Sequence, residues 1–376
     1  MNVLSLITTL EKLNVDFFTG VPDSQLKPLC NYLINTYGIS HNHIIAANEG
    51  NCTALAAGYN LATGKVPCVY LQNSGLGNII NPVASLLNDK VYAIPCIFVI
   101  GWRGEPGVKD EPQHAYQGSV TLDLLAVMDI AYMVIDKNTG EEELAGKIGE
   151  FQALLGAGKS VAFVIRENGL YYDEKVEYIN AHSTLREEII RHITDTAQED
   201  VIISTTGKTS RELFEIREQN GQSHKYDFLT VGSMGHSSSI ALGVALNKVN
   251  TRIWCIDGDG AALMHLGAMA VIGASAPINY IHVIVNNGAH ESVGGQPTVA
   301  DSINIGQIAL GCGYKAAYTA NNLEELDNIL SSTASQAGPI LIEVKAVIGS
   351  RGDLGRPTTT PIENKQAFMS YLGELE

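Results

Sequence analysis

Positive charge is scarce in this 376-residue chain, in which 24 Lys and Arg residues stand against 40 Asp and Glu residues and give a formal net charge of −16. Because contact with a nucleic-acid backbone requires a basic surface, this composition argues against a nucleic-acid partner. It also means that an anionic substrate would have to meet a local cluster of basic side chains.

Long apolar runs are missing as well. The chain contains no stretch of roughly 18 consecutive apolar residues, the length that a membrane helix needs, so the sequence predicts no membrane span. The N-terminal stretch, residues 1–18, has neither a basic region nor a small-residue cleavage site. We therefore interpret it as an amphipathic helix and not as a signal peptide.

Cysteines at metal-binding or redox spacing are also absent, since no CxxC motif occurs. Most of the cysteines lie in apolar surroundings, so we expect reduced thiols in the core of a cytoplasmic protein. The six cysteines are Cys30, Cys52, Cys68, Cys96, Cys255 and Cys312.

The chain does contain a repeated alternation of short apolar runs with helical patterns. This alternation predicts an α/β fold of two doubly wound parallel sheets with helices on both faces. Residues 167–183 are polar, charged and aromatic and have no clear period. We therefore predict a domain boundary in this stretch, with domains at residues 1–178 and 179–376.

One strand–helix–strand unit, residues 253–285, carries polar residues at the ends of its strands. Its first predicted strand ends at Gly258-Asp259-Gly260, and its second ends just before Asn287. A right-handed crossover makes such strands parallel, and ligands bind beyond their carboxyl ends. We therefore expect Asp259 and Asn287 to lie close together as hard oxygen ligands for Mg²⁺ or Ca²⁺, with glycines that admit a phosphate. The alternative is two ordinary turns.

Two other loops of the second half follow predicted strands and are rich in glycine and hydroxyl groups. One carries Thr206 and Gly207, and the other carries Gly232, Ser233 and Met234. Backbone amides in such loops suit a bound diphosphate. Both loops are therefore candidates for cofactor binding.

The first half carries its own polar candidates. Glu49 lies between a predicted strand and an Ala-rich helix, where the alternative is an ordinary glutamate at a helix start. Asp23 follows a short strand, and capping of the next helix is its alternative role. His114 ends a long loop whose Gly and Pro content is typical of functional loops, although it could be a surface histidine. Arg103 and Lys109 make that loop one of the few basic regions.

The Gly-Asp-Gly turn and the later Asn-Asn pair resemble the signature of thiamine diphosphate-dependent enzymes. The resemblance implies that Asp259, Asn287 and the carbonyl of Ala289 bind the Mg²⁺ ion that bridges the cofactor's diphosphate to the protein. It also implies that Glu49 hydrogen-bonds N1′ of the aminopyrimidine. Met234 matches the large apolar residue that supports the bent cofactor.

Further motifs extend the resemblance over nearly the whole chain, to the two-domain family of phosphonopyruvate decarboxylases, with sulfopyruvate decarboxylases as nearest relatives. This resemblance implies two thiamine diphosphate-binding domains without a central third domain, and thiamine diphosphate and Mg²⁺ as cofactors. The implied reaction converts 3-phosphonopyruvate into phosphonoacetaldehyde and carbon dioxide, and the alternative substrate is sulfopyruvate or another 2-oxo acid. The motifs are GVPDS, NEGN, GEPGVKDEPQH, NNGAHESVGGQPT and RGDLGRP.

The resemblance further implies a homo-oligomer, at least a dimer, whose active sites form between subunits. Asp23 and His114 match polar positions that transfer protons in related decarboxylases.

A nucleotide-binding module is the alternative function from another class, but no GxGxxG motif opens a helix after a strand. The anionic group of the substrate needs strong donors, and the candidates are Arg103, Lys109, His290, Arg351 and Arg356.

Overall fold

The computed structural model describes residues 1–375, and the chain forms two compact units, Met1–Glu177 and Tyr178–Glu376. Within the described residues, each unit contains one six-stranded sheet whose paired strands run parallel. The predicted α/β fold of two doubly wound parallel sheets is therefore confirmed. No helix in residues 1–375 is both long enough and apolar enough to cross a membrane.

The first unit alternates strands and helices along its sequence, and its strands pair in the order β2-β1-β3-β4-β6-β5. The strands β1 to β6 are Phe18–Gly20, His43–Ile45, Cys68–Gln72, Ile97–Gly101, Ala131–Ile135 and Val161–Ile165. The helices α1 to α7 are Val3–Lys12, Lys27–Tyr37, Glu49–Thr63, Leu76–Pro82, Pro112–Ser119, Thr121–Val127 and Glu141–Gly156.

The second unit repeats this architecture, and its large sheet has the order β13-β14-β10-β9-β7-β8, with β11 and β12 forming a small antiparallel pair. The strands β7 to β14 are Val201–Ser204, Asp227–Leu229, Ile253–Gly258, Tyr280–Asn286, Ala289–His290, Gln296–Pro297, Ala316–Ala320 and Ile340–Lys345. The helices α8 to α15 are Arg186–Ala197, Lys208–Gln219, Ser237–Asn247, Asp259–Met264, Ala268–Ser275, Ile305–Gly311, Leu323–Thr333 and Pro361–Glu374.

The central strands explain the continuous apolar runs of the sequence. Every residue of β4 and β6 is buried, because helices cover both faces of the sheet. On α1, Leu6 and Leu10 are fully buried at helical spacing, as expected of an amphipathic helix.

In the second unit, β9 pairs with β10 so that Gly258 lies opposite Val285. Asp259 and Asn287 therefore leave the sheet at neighbouring carboxyl ends.

Several predicted element boundaries were wrong. The small apolar residues at 261–272 predict a single helix, but the structure has two helices, α11 and α12, separated around Leu266. The alternation of strands and helices predicts a strand at residues 314–316, but the strand begins at Ala316 and continues to Ala320. The long loop predicted after β4 is shorter than expected, because helix α5 begins at Pro112 and includes His114. Helix α15 was not predicted, although Thr360 and Glu363 at its start form a capping box, which is a local signal for a helix.

Candidate active site

Glu49 is the first residue of α3, directly after the carboxyl end of β2. Its side chain is buried with 4% of its surface exposed, and Oε2 accepts a 2.7 Å hydrogen bond from Asn78 Nδ2. Gly75 permits this position, because a Cβ atom at residue 75 would lie 2.5 Å from Glu49 Oε1. A methyl group there would displace the carboxylate. The fold therefore holds one buried carboxylate in a fixed orientation beside a helix start.

Asp23 lies in the loop after β1 and is fully buried. Its Oδ1 accepts a 2.5 Å hydrogen bond from Gln72 Nε2, at the end of β3, and its Oδ2 accepts a 2.9 Å hydrogen bond from the backbone N–H of Gln25. Burial raises the pKa of the carboxyl group, and these hydrogen bonds together with the charge of Arg103 oppose the rise. Asp23 is therefore better suited to hold a proton than an exposed aspartate.

The loop after β4 brings Arg103 and His114 to the same edge of the first sheet. The guanidinium of Arg103 is ion-paired with Asp110, to which Nε donates at 2.8 Å, and NH1 donates to Ser24 Oγ at 3.0 Å. His114 Nδ1 is buried and has no hydrogen-bond partner among residues 1–375. Burial and the charge of Arg103 lower the pKa of His114, which favours the neutral ring. Lys109 is exposed.

Asp259 begins α11 at the carboxyl end of β9 and exposes 3% of its surface. Its Oδ2 accepts a 2.5 Å hydrogen bond from Thr298 Oγ1. No Lys or Arg forms an ion pair with Asp259 in the part of the chain that the structure describes. Burial raises the pKa of Asp259 to about 6. A buried carboxylate at a strand end is chemically suited to bind a cation.

The metal-free protein should be more stable as Asp259→Asn than as wild type at pH 7.5, by about 2 kcal/mol. The folded protein holds the Asp259 proton up to about pH 6, whereas the reference value is 3.8, so the unfolded state binds fewer protons between these values. The contribution of Asp259 to the free energy of unfolding therefore falls as pH rises through this window. Urea unfolding in EDTA measures the difference between variant and wild type.

That difference should narrow at pH 5, because Asp259 is then largely protonated in the folded state. Asp173→Asn is the matched control, since that aspartate is exposed and lies in the other unit. A difference between Asp259→Asn and wild type that is equal at both pH values would contradict the assignment of the raised pKa.

Asn287 is held by contacts on both ends of its amide. Its Oδ1 accepts a 3.1 Å hydrogen bond from the backbone N–H of Ala289, and its Nδ2 donates to Glu291 Oε2 at 2.8 Å. Glu291 also accepts from Arg186 NH1 at 2.9 Å and from Lys208 Nζ at 2.7 Å. The two cations keep the pKa of Glu291 below its ordinary value although burial opposes this. The network fixes which way the amide oxygen of Asn287 points.

The two candidate diphosphate loops are joined to each other. Thr206 Oγ1 donates a 2.7 Å hydrogen bond to the carbonyl of Val231, and α9 begins directly after Gly207. In the second loop, Gly232 and Ser233 precede Met234, and Ser233 adopts a φ of 55°. Backbone in this left-handed region turns the chain sharply and exposes N–H groups. Both loops lie at the carboxyl ends of β7 and β8.

Met234, Gly260 and His290 lie together in the second unit. A Cβ atom at residue 260 would lie 3.4 Å from Met234 Cε and 3.3 Å from His290 Nδ1. His290 is buried, and burial lowers its pKa to about 4, so the ring is neutral near pH 7. It therefore offers a neutral hydrogen-bonding ring and not a cation for an anionic group.

The C-terminal arginines have different surroundings. Arg351 is ion-paired with Glu187 at 3.0 Å, with Asp353 at 3.3 Å and with Glu215. Its guanidinium is therefore already balanced by carboxylates. Arg356 is exposed.

Sequence reasoning missed four polar residues of the site: Gln72, Asn78, Glu291 and Thr298. Each acts as the hydrogen-bond partner of a predicted residue, and three of the four lie far from that partner in sequence. Glu291 could have been predicted from the sequence, because it lies four residues after Asn287 in the same polar loop.

Comparison with known proteins identifies the family. Residues 4–127 match the family model described as the thiamine pyrophosphate enzyme N-terminal TPP binding domain, and residues 205–344 match the C-terminal TPP binding domain. The chain is 34% identical over 385 residues to phosphonopyruvate decarboxylase of Streptomyces viridochromogenes, and the alignment covers 98% of this chain and 94% of the relative. The chain belongs to the thiamine pyrophosphate enzyme family.

Other relatives within this family have related names. Phosphonopyruvate decarboxylase of Streptomyces hygroscopicus is 34% identical, over 98% of this chain and 93% of the relative. In Methanococcus maripaludis the similar protein is divided into two chains. Sulfopyruvate decarboxylase subunit beta is 32% identical, over 50% of this chain and 97% of the relative, and subunit alpha is 38% identical, over 31% of this chain and 67% of the relative.

As a thiamine pyrophosphate enzyme, the chain contains both TPP binding domains, and each carries part of the candidate site. Glu49, Asp23 and His114 lie in the residues matched by the N-terminal model. The two glycine-rich loops, Asp259 and Asn287 lie in the residues matched by the C-terminal model. Each of the two matched domains thus carries its own part of the candidate site.

Proposed function

We propose that this chain is a thiamine diphosphate- and Mg²⁺-dependent decarboxylase that converts 3-phosphonopyruvate into phosphonoacetaldehyde and carbon dioxide. The observation that carries the proposal is the 34% identity to phosphonopyruvate decarboxylases over 98% of the chain. In addition, Glu49 and Asp259 are both buried near the carboxyl ends of strands. Sulfopyruvate is the second candidate substrate, because two sulfopyruvate decarboxylase subunits are also similar to this chain at 32% and 38% identity.

The residues present fit the diphosphate and its metal ion. Asp259, the amide oxygen of Asn287 and the carbonyl of Ala289 form an all-oxygen ligand set, which suits Mg²⁺ better than zinc. Asp259 supplies the negative charge, and burial raises its pKa to about 6. The loops at Thr206-Gly207 and Gly232–Met234 would hold the phosphate groups through backbone amides.

Bound thiamine diphosphate supplies the nucleophilic carbon and accepts the electron pair released by decarboxylation. The protein's own residues bind and orient the reactants and move protons. Glu49 would hold a hydrogen bond to the aminopyrimidine through a carboxylate that Asn78 fixes in place. Asp23 and His114 would hold and return a proton, because burial raises the pKa of Asp23 and lowers the pKa of His114.

We propose that the phosphonate is bound by His290 and by basic residues of the loop after β4 and of the C-terminal segment. Arg103 and Arg351 are held by carboxylates, so each can orient a substrate but adds little net charge. Lys109 is exposed, and a long exposed side chain can turn toward an incoming anion. Arg356 follows Arg351 in the same C-terminal segment. Alanine variants of Lys109 and Arg356 should therefore raise KM for the substrate more than kcat falls, as steady-state kinetics would measure.

A substrate panel tests the proposed reaction. Purified protein with Mg²⁺ and thiamine diphosphate is assayed for carbon dioxide from phosphonopyruvate, sulfopyruvate and pyruvate. The proposal requires the highest kcat/KM with phosphonopyruvate. Preference for sulfopyruvate would favour the second candidate, and release of carbon dioxide from none of the three would overturn both.

Glu291→Gln should weaken Mg²⁺ binding in the presence of thiamine diphosphate by about 10- to 100-fold. Glutamine keeps a partner for the Asn287 amide but leaves Lys208 without its carboxylate and Arg186 with only Glu212 as an ion-pair partner. Loss of this buried pairing should also lower the free energy of unfolding by about 3 kcal/mol. Mg²⁺ titration followed by tryptophan fluorescence and urea unfolding measure the two effects.

Glu324→Gln is the matched control, because that glutamate is exposed in the first turn of α14. It should leave Mg²⁺ affinity unchanged. If Glu291→Gln lowers stability but binds Mg²⁺ like wild type, Glu291 has no part in orienting Asn287.

We also propose a homo-oligomer in which Glu49 of one chain and Asp259 of another serve the same cofactor. The sulfopyruvate decarboxylase of Methanococcus maripaludis supports an assembly of more than one chain, since its alpha and beta subunits are both similar to this chain. Mg²⁺ as the metal and a cytoplasmic location are parts of the same proposal.

A further inference from the structure

A second group of metal-ligating side chains lies inside the second unit, on the face of the sheet opposite its main apolar cluster. Cys255 and Asp257 alternate on β9 with residues of that cluster, and His282 lies opposite Cys255 on β10. All three side chains are buried, with at most 1% exposed. The Cys255 sulfur, a carboxylate oxygen of Asp257 and a ring nitrogen of His282 lie within 4.8 Å of one another.

Two polar atoms that face each other in this group, one on Asp257 and one on His282, lack hydrogen bonds. Asp257 Oδ1 accepts from the backbone N–H of Gly258 at 3.0 Å, but Oδ2 has no hydrogen-bond partner in the described chain. His282 Nε2 is also without one among these residues. The two atoms are 3.6 Å apart, which is longer than a hydrogen bond. Buried groups in this state cost free energy, so a missing partner is expected between them.

The other ring nitrogen of His282 is oriented by Tyr314, whose hydroxyl lies 3.1 Å from Nδ1. If Nδ1–H donates to this hydroxyl, the Nε2 lone pair faces a carboxylate oxygen, and two acceptors oppose each other. If the hydroxyl donates instead, Nε2–H faces an oxygen that is too far away. A cation between Nε2 and Oδ2 resolves the first case. An oxygen partner on the second nitrogen is also the usual companion of a metal-bound histidine.

The donor set indicates which ion would fit. Sulfur, imidazole and carboxylate ligands together suit zinc, whereas Mg²⁺ takes oxygen ligands. Tetrahedral zinc with bonds near 2.1 Å places a nitrogen and an oxygen ligand roughly 3.4 Å apart, close to the separation of the two facing atoms. Ser237 Oγ is buried beside the Cys255 thiol. It is a candidate for the fourth position.

We propose that Cys255, Asp257 and His282 bind a structural zinc ion within the second unit, separate from the Mg²⁺ ligands Asp259 and Asn287. Binding converts the Cys255 thiol to a thiolate, and its proton is released to solvent. None of the three side chains has a role in the proposed decarboxylation. The site is closed, as structural zinc sites are.

Metal analysis tests the proposal. The full-length protein is produced in zinc-supplemented medium, dialysed against metal-free buffer and analysed for first-row transition metals by mass spectrometry. Wild type should retain about one zinc ion per chain. Cys255→Ser and His282→Asn should lower the zinc content at least tenfold. Cys312→Ser, at a partly exposed cysteine outside the group, and Asp259→Asn should retain it.

Cobalt substitution gives a second readout that needs only wild type, in case the buried variants do not fold. Cobalt bound in place of zinc should produce a thiolate-to-metal charge-transfer band. Wild type without a transition metal and without this band would overturn the proposal, and Asp257 and His282 would then interact directly. Equal zinc in wild type, Cys255→Ser and His282→Asn would overturn it as well, because the ion would lie elsewhere.

Discussion

Replacing Glu49 by glutamine is expected to lower kcat for carbon dioxide release by about 1,000-fold, within the range that a positioned acid–base group contributes. Glutamine has nearly the same shape and can still accept the hydrogen bond from Asn78. It cannot carry the charge or exchange the proton that the carboxylate shares with the aminopyrimidine. Because these functions concern the reaction and not the binding of the diphosphate, affinity for thiamine diphosphate should change little.

Steady-state kinetics and calorimetric titration of the cofactor separate the two effects. Glu143→Gln is the matched control, since Glu143 is an exposed glutamate in the first turn of another helix of the same unit, α7. It should retain wild-type kcat. If Glu49→Gln keeps kcat within tenfold of wild type while Glu143→Gln behaves normally, the buried carboxylate has no role in the chemistry.

The parts of the fold that the sequence predicted are those with a local physical cause. The apolar runs of β4 and β6 cannot be solvated on either face, so their parallel, buried arrangement follows from composition alone. Likewise, glycines around Asp259 and after Asn287 mark where two neighbouring strands end. Because parallel neighbours end at the same edge of a sheet, the amino-acid sequence was enough to predict that these two residues lie together.

The errors arose where tertiary contacts decide the local structure. Small apolar residues run without interruption through positions 261–272, and their periodicity gives no sign that the helix is broken into α11 and α12. The sequence predicts a strand that starts at Tyr314, but Tyr314 lies before β13, where its hydroxyl reaches His282. In contrast, the start of α15 at Thr360 carried a local signal, the capping box, that periodicity alone overlooked.

The supporting residues of the site could not be derived from sequence for the same reason. Thr298 contacts Asp259 only because β11 and β12 fold back as a hairpin, and nothing in a single sequence fixes that register. Arg103 and Arg351 appeared available for an anionic substrate, yet each is paired with carboxylates in the fold. Charge counts along a chain do not reveal which charges neutralise each other.

Replacing Asp259 by alanine is expected to abolish measurable activity, because the remaining ligands of the proposed Mg²⁺ site are neutral oxygens. The more informative experiment combines this variant with Glu49→Gln in one oligomer, by co-expression with two different affinity tags. If each active site uses Glu49 of one chain and Asp259 of another, random pairing makes half of the dimers mixed. One of the two sites in each mixed dimer then has both residues intact, so the mixture should regain about a quarter of wild-type activity.

The tandem-purified mixed dimer should therefore reach about half of wild-type activity, since symmetry gives it one intact and one doubly altered site. If both residues instead came from the same chain, every site in the mixture would carry one defect, and no ratio of the two variants would restore carbon dioxide release. Activity is measured with saturating Mg²⁺ and thiamine diphosphate, so that a weakened affinity does not imitate a lost site. Recovery thus depends on which chains supply the two carboxylates, and not on how strongly either variant is impaired.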